Sequence, residues 1–341
     1  MKKYIILIVL ALSIISCEKD KEDYSVIPLD AENLPGKFID AMTLDSKGAL
    51  WFTTSETDFP VSMPSISCSI PFKHYLTKYY NNTYSVFDEN FTGALAMAVD
   101  FSDKVWFITS KTLSYFDNQK SIEVYRLPDD RGLFGWIQAD KDKNIWVGGL
   151  SAPLLKVTPG KETNVIKISN DLSSTSGHFD KSNNLWVALW DNWIGKRNTN
   201  GNWTYFNSLN SALPYQNFWS IISDKNNNIW AGTGWLDNSV NLMRFNGSKW
   251  EHIIPKDELG NAISGTVRKL YADGNQIWIV SEVAVNNAFD SSYLITFDGE
   301  KWNRIYDAPL NDGIVGIELD ISHNKAYIAT QNNGCIQVRL K

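Results

Sequence analysis

An all-β chain closed into a single seven-bladed β-propeller is the fold class the sequence predicts, and three observations predict it. One unit recurs seven times: an apolar strand ending at Asp, a short polar turn, then a strand centred on Trp. The central Trp residues stand at 51, 106, 146, 186, 230 and 278, with Tyr327 in the seventh place. Spacing of roughly 40–50 residues with several short strands per unit is how propeller blades read in sequence. No segment shows helical periodicity beyond one or two turns.

The units follow in order. Ala41-Met-Thr-Leu-Asp45 leads into Leu50-Trp-Phe-Thr-Thr54, with Tyr84-Ser-Val-Phe87 as an outer strand. The second has Ala98-Val-Asp100, Val105-Trp-Phe-Ile-Thr109 and a third strand Thr112-Leu-Ser-Tyr-Phe-Asp117. Gln138-Ala-Asp140 with Ile145-Trp-Val-Gly148 makes the third, and His178-Phe-Asp180 with Leu185-Trp-Val-Ala188 the fourth. The fifth and sixth pair Ile222-Ser-Asp224 with Ile229-Trp-Ala-Gly-Thr233, and Tyr271-Ala-Asp273 with Ile277-Trp-Ile-Val280. Their outer hairpins turn at Asn246-Gly and Asp298-Gly, dipeptides suited to type I′ turns because both central residues need positive φ. The seventh unit offers three strands, near 315–320, 325–330 and 335–340. Tyr24-Ser-Val-Ile-Pro-Leu29 resembles a fourth strand, so it is expected to complete that last blade and remove an exposed edge.

The repeat also separates scaffold from candidate function. An Asp that recurs before every turn accepts backbone N–H groups, and a recurring Trp packs between blades, so both are structural. Turns on one face are short and built of Asp, Asn, Gly and Lys, as in Asp140-Lys-Asp-Lys-Asn144. The other face carries long connections: residues 55–75, 207–217, 234–239, 255–265 and 282–290. Long loops on one end of a rigid scaffold are where binding residues concentrate. Non-repeating residues at that end are Trp136, His178, Trp219 and Arg268 on first strands, with Trp190, Trp193 and Trp235 in or beside loops. Trp136, His178, Trp190, Trp219, Trp235 and Arg268 are therefore the candidate ligand-binding residues, an aromatic mouth with one His and one Arg that suits sugar rings.

Several classes are disfavoured. A net charge of −6 without a basic stripe argues against nucleic acid. There is no Cys/His metal spacing, His-Glu-x-x-His, Gly-rich phosphate loop or Gly-x-Ser-x-Gly, so no cofactor, metal or catalytic residue is assigned. Residues 1–16, with Lys2-Lys3 before a 12-residue apolar stretch, read as a signal peptide too short to span a bilayer. Ile14-Ile-Ser-Cys17 resembles a lipobox, which implies lipidation of Cys17 and an outer-membrane anchor, with periplasmic and surface-exposed orientations both open. A charged tether over residues 17–23 would lead into a propeller over 24–341. Cys68 and Cys335 then remain as a pair that loop geometry could bring together in a disulfide.

The run Trp219-Ser-Ile-Ile-Ser-Asp-Lys-Asn-Asn-Asn-Ile-Trp-Ala-Gly-Thr233, followed by Leu242-Met-Arg-Phe-Asn-Gly247, resembles the two-component-regulator propeller repeat. The resemblance extends over essentially all of residues 24–341. That repeat is known from periplasmic sensor regions of gut Bacteroidetes, which carry two propellers, a membrane helix and a kinase. One propeller on a lipid anchor is expected here instead. The expected role is therefore a monomeric, non-enzymatic envelope module that binds a glycan or a partner protein through the long-loop face. The alternative is a propeller lyase or hydrolase with His178 in a channel-mouth active site.

Overall fold

The computed structural model describes residues 24–27, 36, 38–56, 73–130, 132–161, 165–169, 172–213, 217–233, 241–257, 259–263, 265–274, 276–285, 288–305, 313–330 and 334–339. These form seven four-stranded antiparallel sheets, six of them built from four consecutive strands. The first strands of the blades touch their neighbours in a closed ring, so each blade's second to fourth strands lie progressively further out. The seventh sheet is discontinuous in sequence. Tyr24–Ile27 pairs antiparallel with Gly334–Arg339, from Tyr24 opposite Val338 to Ile27 opposite Cys335. The expected closing strand is therefore present; Pro28 and Leu29 lie outside the described residues.

The Asp-turn-Trp unit is a compact hydrogen-bonding device. In blade four one oxygen of Asp180 accepts the backbone N–H of Ser182 and of Asn184, both at 2.9 Å. Its other oxygen accepts the indole N–H of Trp186, six residues on, at 2.9 Å. The same indole bond joins Trp51 to Asp45, Trp106 to Asp100, Trp146 to Asp140, Trp230 to Asp224 and Trp278 to Asp273. A Trp can thus be buried between blades without stranding its N–H, which the turn-capping role of Asp alone does not explain. Blade seven lacks the Trp. There Tyr327 fills the core position and the ring Nδ1 of His323 lies 2.8 Å from Asp320.

The outer hairpins correct one expectation. At Asn246-Gly247 and Asp298-Gly299 only the glycine has positive φ (96° and 107°), while Asn246 and Asp298 bond back to Lys249 and Lys301. Glycine alone at the first central position defines type II′ rather than I′. The type I′ geometry occurs instead at Asn81-Asn82, both with positive φ, between the paired Tyr80 and Thr83. Connection 282–290 is also not a loop: Ile277–Val285 and Ala288–Phe297 continue the second hairpin of blade six outwards.

Candidate functional site

Six of the seven first strands carry a β-bulge at the same place, five residues before the recurring Asp. A bulge adds one unpaired residue and re-aims its side chain. The bulged residues are Asp40, Gly135, Thr175, Trp219, Arg268 and Val315, and Leu95 holds the equivalent place in blade two. They sit near the start of each first strand, on the long-loop side, and so encircle the mouth of the central channel. Neighbouring blades five and six place an indole and a guanidinium there.

These two side chains form one stack with groups from adjoining strands. The guanidinium of Arg268 lies 4.3 Å from the ring centroid of Trp219. Arg268 Nε donates to Glu282 Oε2 at 3.0 Å. Trp190 meets Trp219 edge to face at 5.7 Å, and its backbone N–H is held by the Ser173 carbonyl. The stack runs across blades four, five and six. Three of the six candidate residues, Trp190, Trp219 and Arg268, thus come together, half-buried, at one place.

The other candidates are placed differently. Trp136 is 6% exposed and donates its indole N–H to Ser174 Oγ at 2.9 Å. Its ring lies so close over Gly148 and Gly177 that a Cβ on either would sit 2.5 Å from it. It wedges blade three against blade four. His178 lies deeper in the channel, two residues before its Asp, with Nε2 2.9 Å from Ser223 Oγ of blade five. Burial pushes its pKa down to about 4, against a weaker opposing pull from Asp180, so the imidazole is neutral near pH 7. Trp193 is exposed against Tyr205, and Trp235 lies outside the described residues. Cys335 is a free thiol, 1% exposed, whose pKa burial pushes up to about 12; Cys68 and Cys17 lie outside the described residues.

The sequence reading missed several residues at the same end of the molecule. Asp40, the bulge residue of blade one, accepts from Ser55 Oγ at 3.0 Å and lies 3.1 Å from His74 Nδ1. Lys269 reaches across from blade six to the Val315 carbonyl of blade seven. Tyr271 and Glu318 occupy the same first-strand position as His178; burial raises the pKa of both, that of Glu318 to about 8. Counting five residues back from each repeated Asp would have collected Asp40, Trp219 and Arg268 from the sequence, and counting four back would have collected Lys269. Glu282 and His74 could not have been found that way, because strand pairing brings them in.

The opposite face is a weaker candidate. A cleft of about 370 Å³ between blades one and two is lined by Asp45, Trp51, Lys78, Asp103, Lys104 and Asn118 among others. Its Lys78 is bonded to Asp45 at 3.0 Å and lies over Trp51. Lys156, Lys196 and Arg244 stand over the Trp of their own blades in the same way, so the arrangement is scaffold. Among the described residues no three His, Cys, Asp or Glu side chains are placed to hold a metal ion.

Residues 212–235, the start of blade five, match the two component regulator propeller family model. The chain is a seven-bladed propeller carrying that repeat. None of the curated proteins matches it. Among solved structures, a catalytically inactive variant of virginiamycin B lyase from Staphylococcus aureus with quinupristin superposes with a TM-score of 0.66. The identity is 13% over 91% of this chain and 98% of that one. PorZ, a surface component of the type-IX secretion system of Porphyromonas gingivalis, gives 0.64 at 15% identity. That match covers 89% of this chain and 46% of PorZ. YCF48 bound to D1 peptide gives 0.61 at 11% identity, over 91% of this chain and 94% of that one. At these identities the likeness is one of fold.

Proposed function

We propose that this propeller is a non-enzymatic binding module of the cell envelope, held to the outer membrane by a lipid on Cys17. Its ligand, a glycan or a partner segment with a ring-bearing group, is taken at the channel mouth on blades four to six. The observation that carries this reading is the half-buried Trp190–Trp219–Arg268 stack on consecutive blades. A rigid aromatic surface beside a few fixed polar groups is the usual make-up of a small-ligand site. The bulges that place Trp219 and Arg268 recur around the ring, but the side chains do not, and unlike the wedged Trp136 both stay half-buried and reachable at the mouth.

An enzymatic reading centred on His178 has less support. A neutral imidazole bonded to Ser223 lacks the acidic imidazolium proton near pH 7, and a pKa of about 4 makes it a weak base. The test is a glycan array probed with wild type, Trp190→Ala and Trp219→Ala. Binding by wild type that falls at least tenfold in Trp219→Ala supports the site. Hits that survive both substitutions place it elsewhere, and an array without hits leaves a protein partner as the object of search.

A further inference from the structure

We propose that the channel mouth selects an anionic ligand, a ring compound bearing a carboxylate or sulfate, whose acid group is met by Lys269 and Arg268. The inference rests on the binding site above and narrows its ligand class.

Lys269 stands four residues before its blade's recurring Asp. At that position other blades have Ala41, Ala96, Ser176, Ser220 and Gly316, and blade three has Trp136, so Lys269 is the one cation at this place in the repeat. Its ammonium crosses the inner ring where the first strands of blades six and seven approach each other least closely, and bonds the Val315 carbonyl. That carbonyl is the partner seen among the described residues, and an ammonium has three donors. Arg268, one residue earlier, commits Nε to Glu282 and one face to Trp219, while its side chain stays 38% exposed. Its terminal nitrogens have no partner among the described residues, and a guanidinium presents them as a fork that fits an oxyanion.

The charge balance points the same way. Two cations stand beside one carboxylate, Glu282, which is bonded to one of them. Asp40, a further mouth carboxylate, lies on blade one and is held by Ser55 and His74, and Asp191 beside Trp190 is exposed to solvent. Burial disfavours the charged form of Lys269, and Arg268 adds like-charge repulsion that Glu282 offsets. An incoming anion would relieve both costs. Trp219, with Trp190 at its edge, supplies the flat surface for the ring that carries the acid.

The probes are two matched pairs: digalacturonic acid against its methyl ester, and sulfated cellobiose against cellobiose, each titrated calorimetrically into the full-length protein in detergent. The expected result is at least tenfold tighter binding of the acid member in one pair, with the pair that responds separating carboxylate from sulfate. That preference should shrink severalfold between 50 and 300 mM salt, a measurement on the unaltered protein that needs no variant. Lys269→Met and Arg268→Gln, checked for an unchanged circular dichroism spectrum, should each lose most of it. Equal binding of acid and neutral members, with both lost in Trp219→Ala, overturns the anion preference and leaves the binding site standing. No binding by either pair overturns it too, and the array result then judges the site separately. An acid preference unchanged in Lys269→Met and Arg268→Gln refutes the assignment of these residues.

Discussion

A single indole can serve a fold or a ligand, and hydrogen-bond partners tell which. Trp186 donates to Asp180, is 1% exposed, and repeats in kind around the ring. Asp180→Ala leaves that indole and two turn N–H groups without their acceptor. The expected loss is about 1–3 kcal/mol, read from denaturant unfolding against wild type. Trp136 breaks the repeat yet is also structural, because its ring fills the space over two glycines. Gly148→Ala should cost about 1–3 kcal/mol through overpacking, and an unchanged unfolding midpoint would show that Trp136 moves aside freely. Glu318 makes a prediction about pH. Burial raises its folded pKa to about 8 from an ordinary 4.5, so the folded state holds a proton that the unfolded chain releases. Stability from this group is full below pH 4.5 and is lost as pH rises towards 8. Glu318→Gln should therefore flatten the fall in Tm between pH 5 and 8; an unaltered slope would assign that fall to other groups.

At the scale of elements, the bulge in six of the seven first strands decides what reaches the channel mouth. Without it Trp219 and Arg268 would follow the ordinary alternation of the strand. The closing strand Tyr24–Ile27 acts on a different problem, the open edge of Gly334–Arg339. Deleting residues 24–29 should lower Tm by well over about 5 °C, more than a single lost contact does; an unchanged melting curve would show the edge needs no cover. Cys335, on that last strand, packs with Ile39, Met42 and Phe52 between blades seven and one. Its thiol should resist Ellman's reagent at pH 8 in the native protein and react once denaturant opens the blade, since burial favours the thiol over the reactive thiolate. Rapid native labelling would mean that the seventh blade opens readily.

For the whole molecule, closure works through contacts as well as through the strand from the N-terminal side. On the short-turn face, a backbone N–H of one turn donates to a side chain of the next: Ser46 to Asp103, Lys141 to Asn183, Lys181 to Asn227. Each aromatic core lies between two blades, as where Trp186 of blade four meets Phe245 and Trp250 of blade five. Stability is thus shared around the ring, and one face is free to vary. The variable face holds the Trp219–Arg268 stack, the Asp40–His74 pair and the crossing of Lys269 to Val315.

The blade count, the Asp-turn-Trp scaffold and the strand that completes the seventh blade were all legible in the sequence. They rest on local patterns, alternation and turn chemistry, repeated often enough to be counted. The candidate site was legible in part. Trp190, Trp219 and Arg268 stood out as departures from the repeat, but so did Trp136, which the fold uses as a wedge. Only the tertiary structure separated them, because whether an indole is wedged or offered depends on what faces it from the next blade. Glu282 and His74 are brought in by strand pairing within blades six and one, 14 and 34 residues from their partners, and the Val315 carbonyl by the packing of blade six on blade seven, contacts that no local pattern encodes.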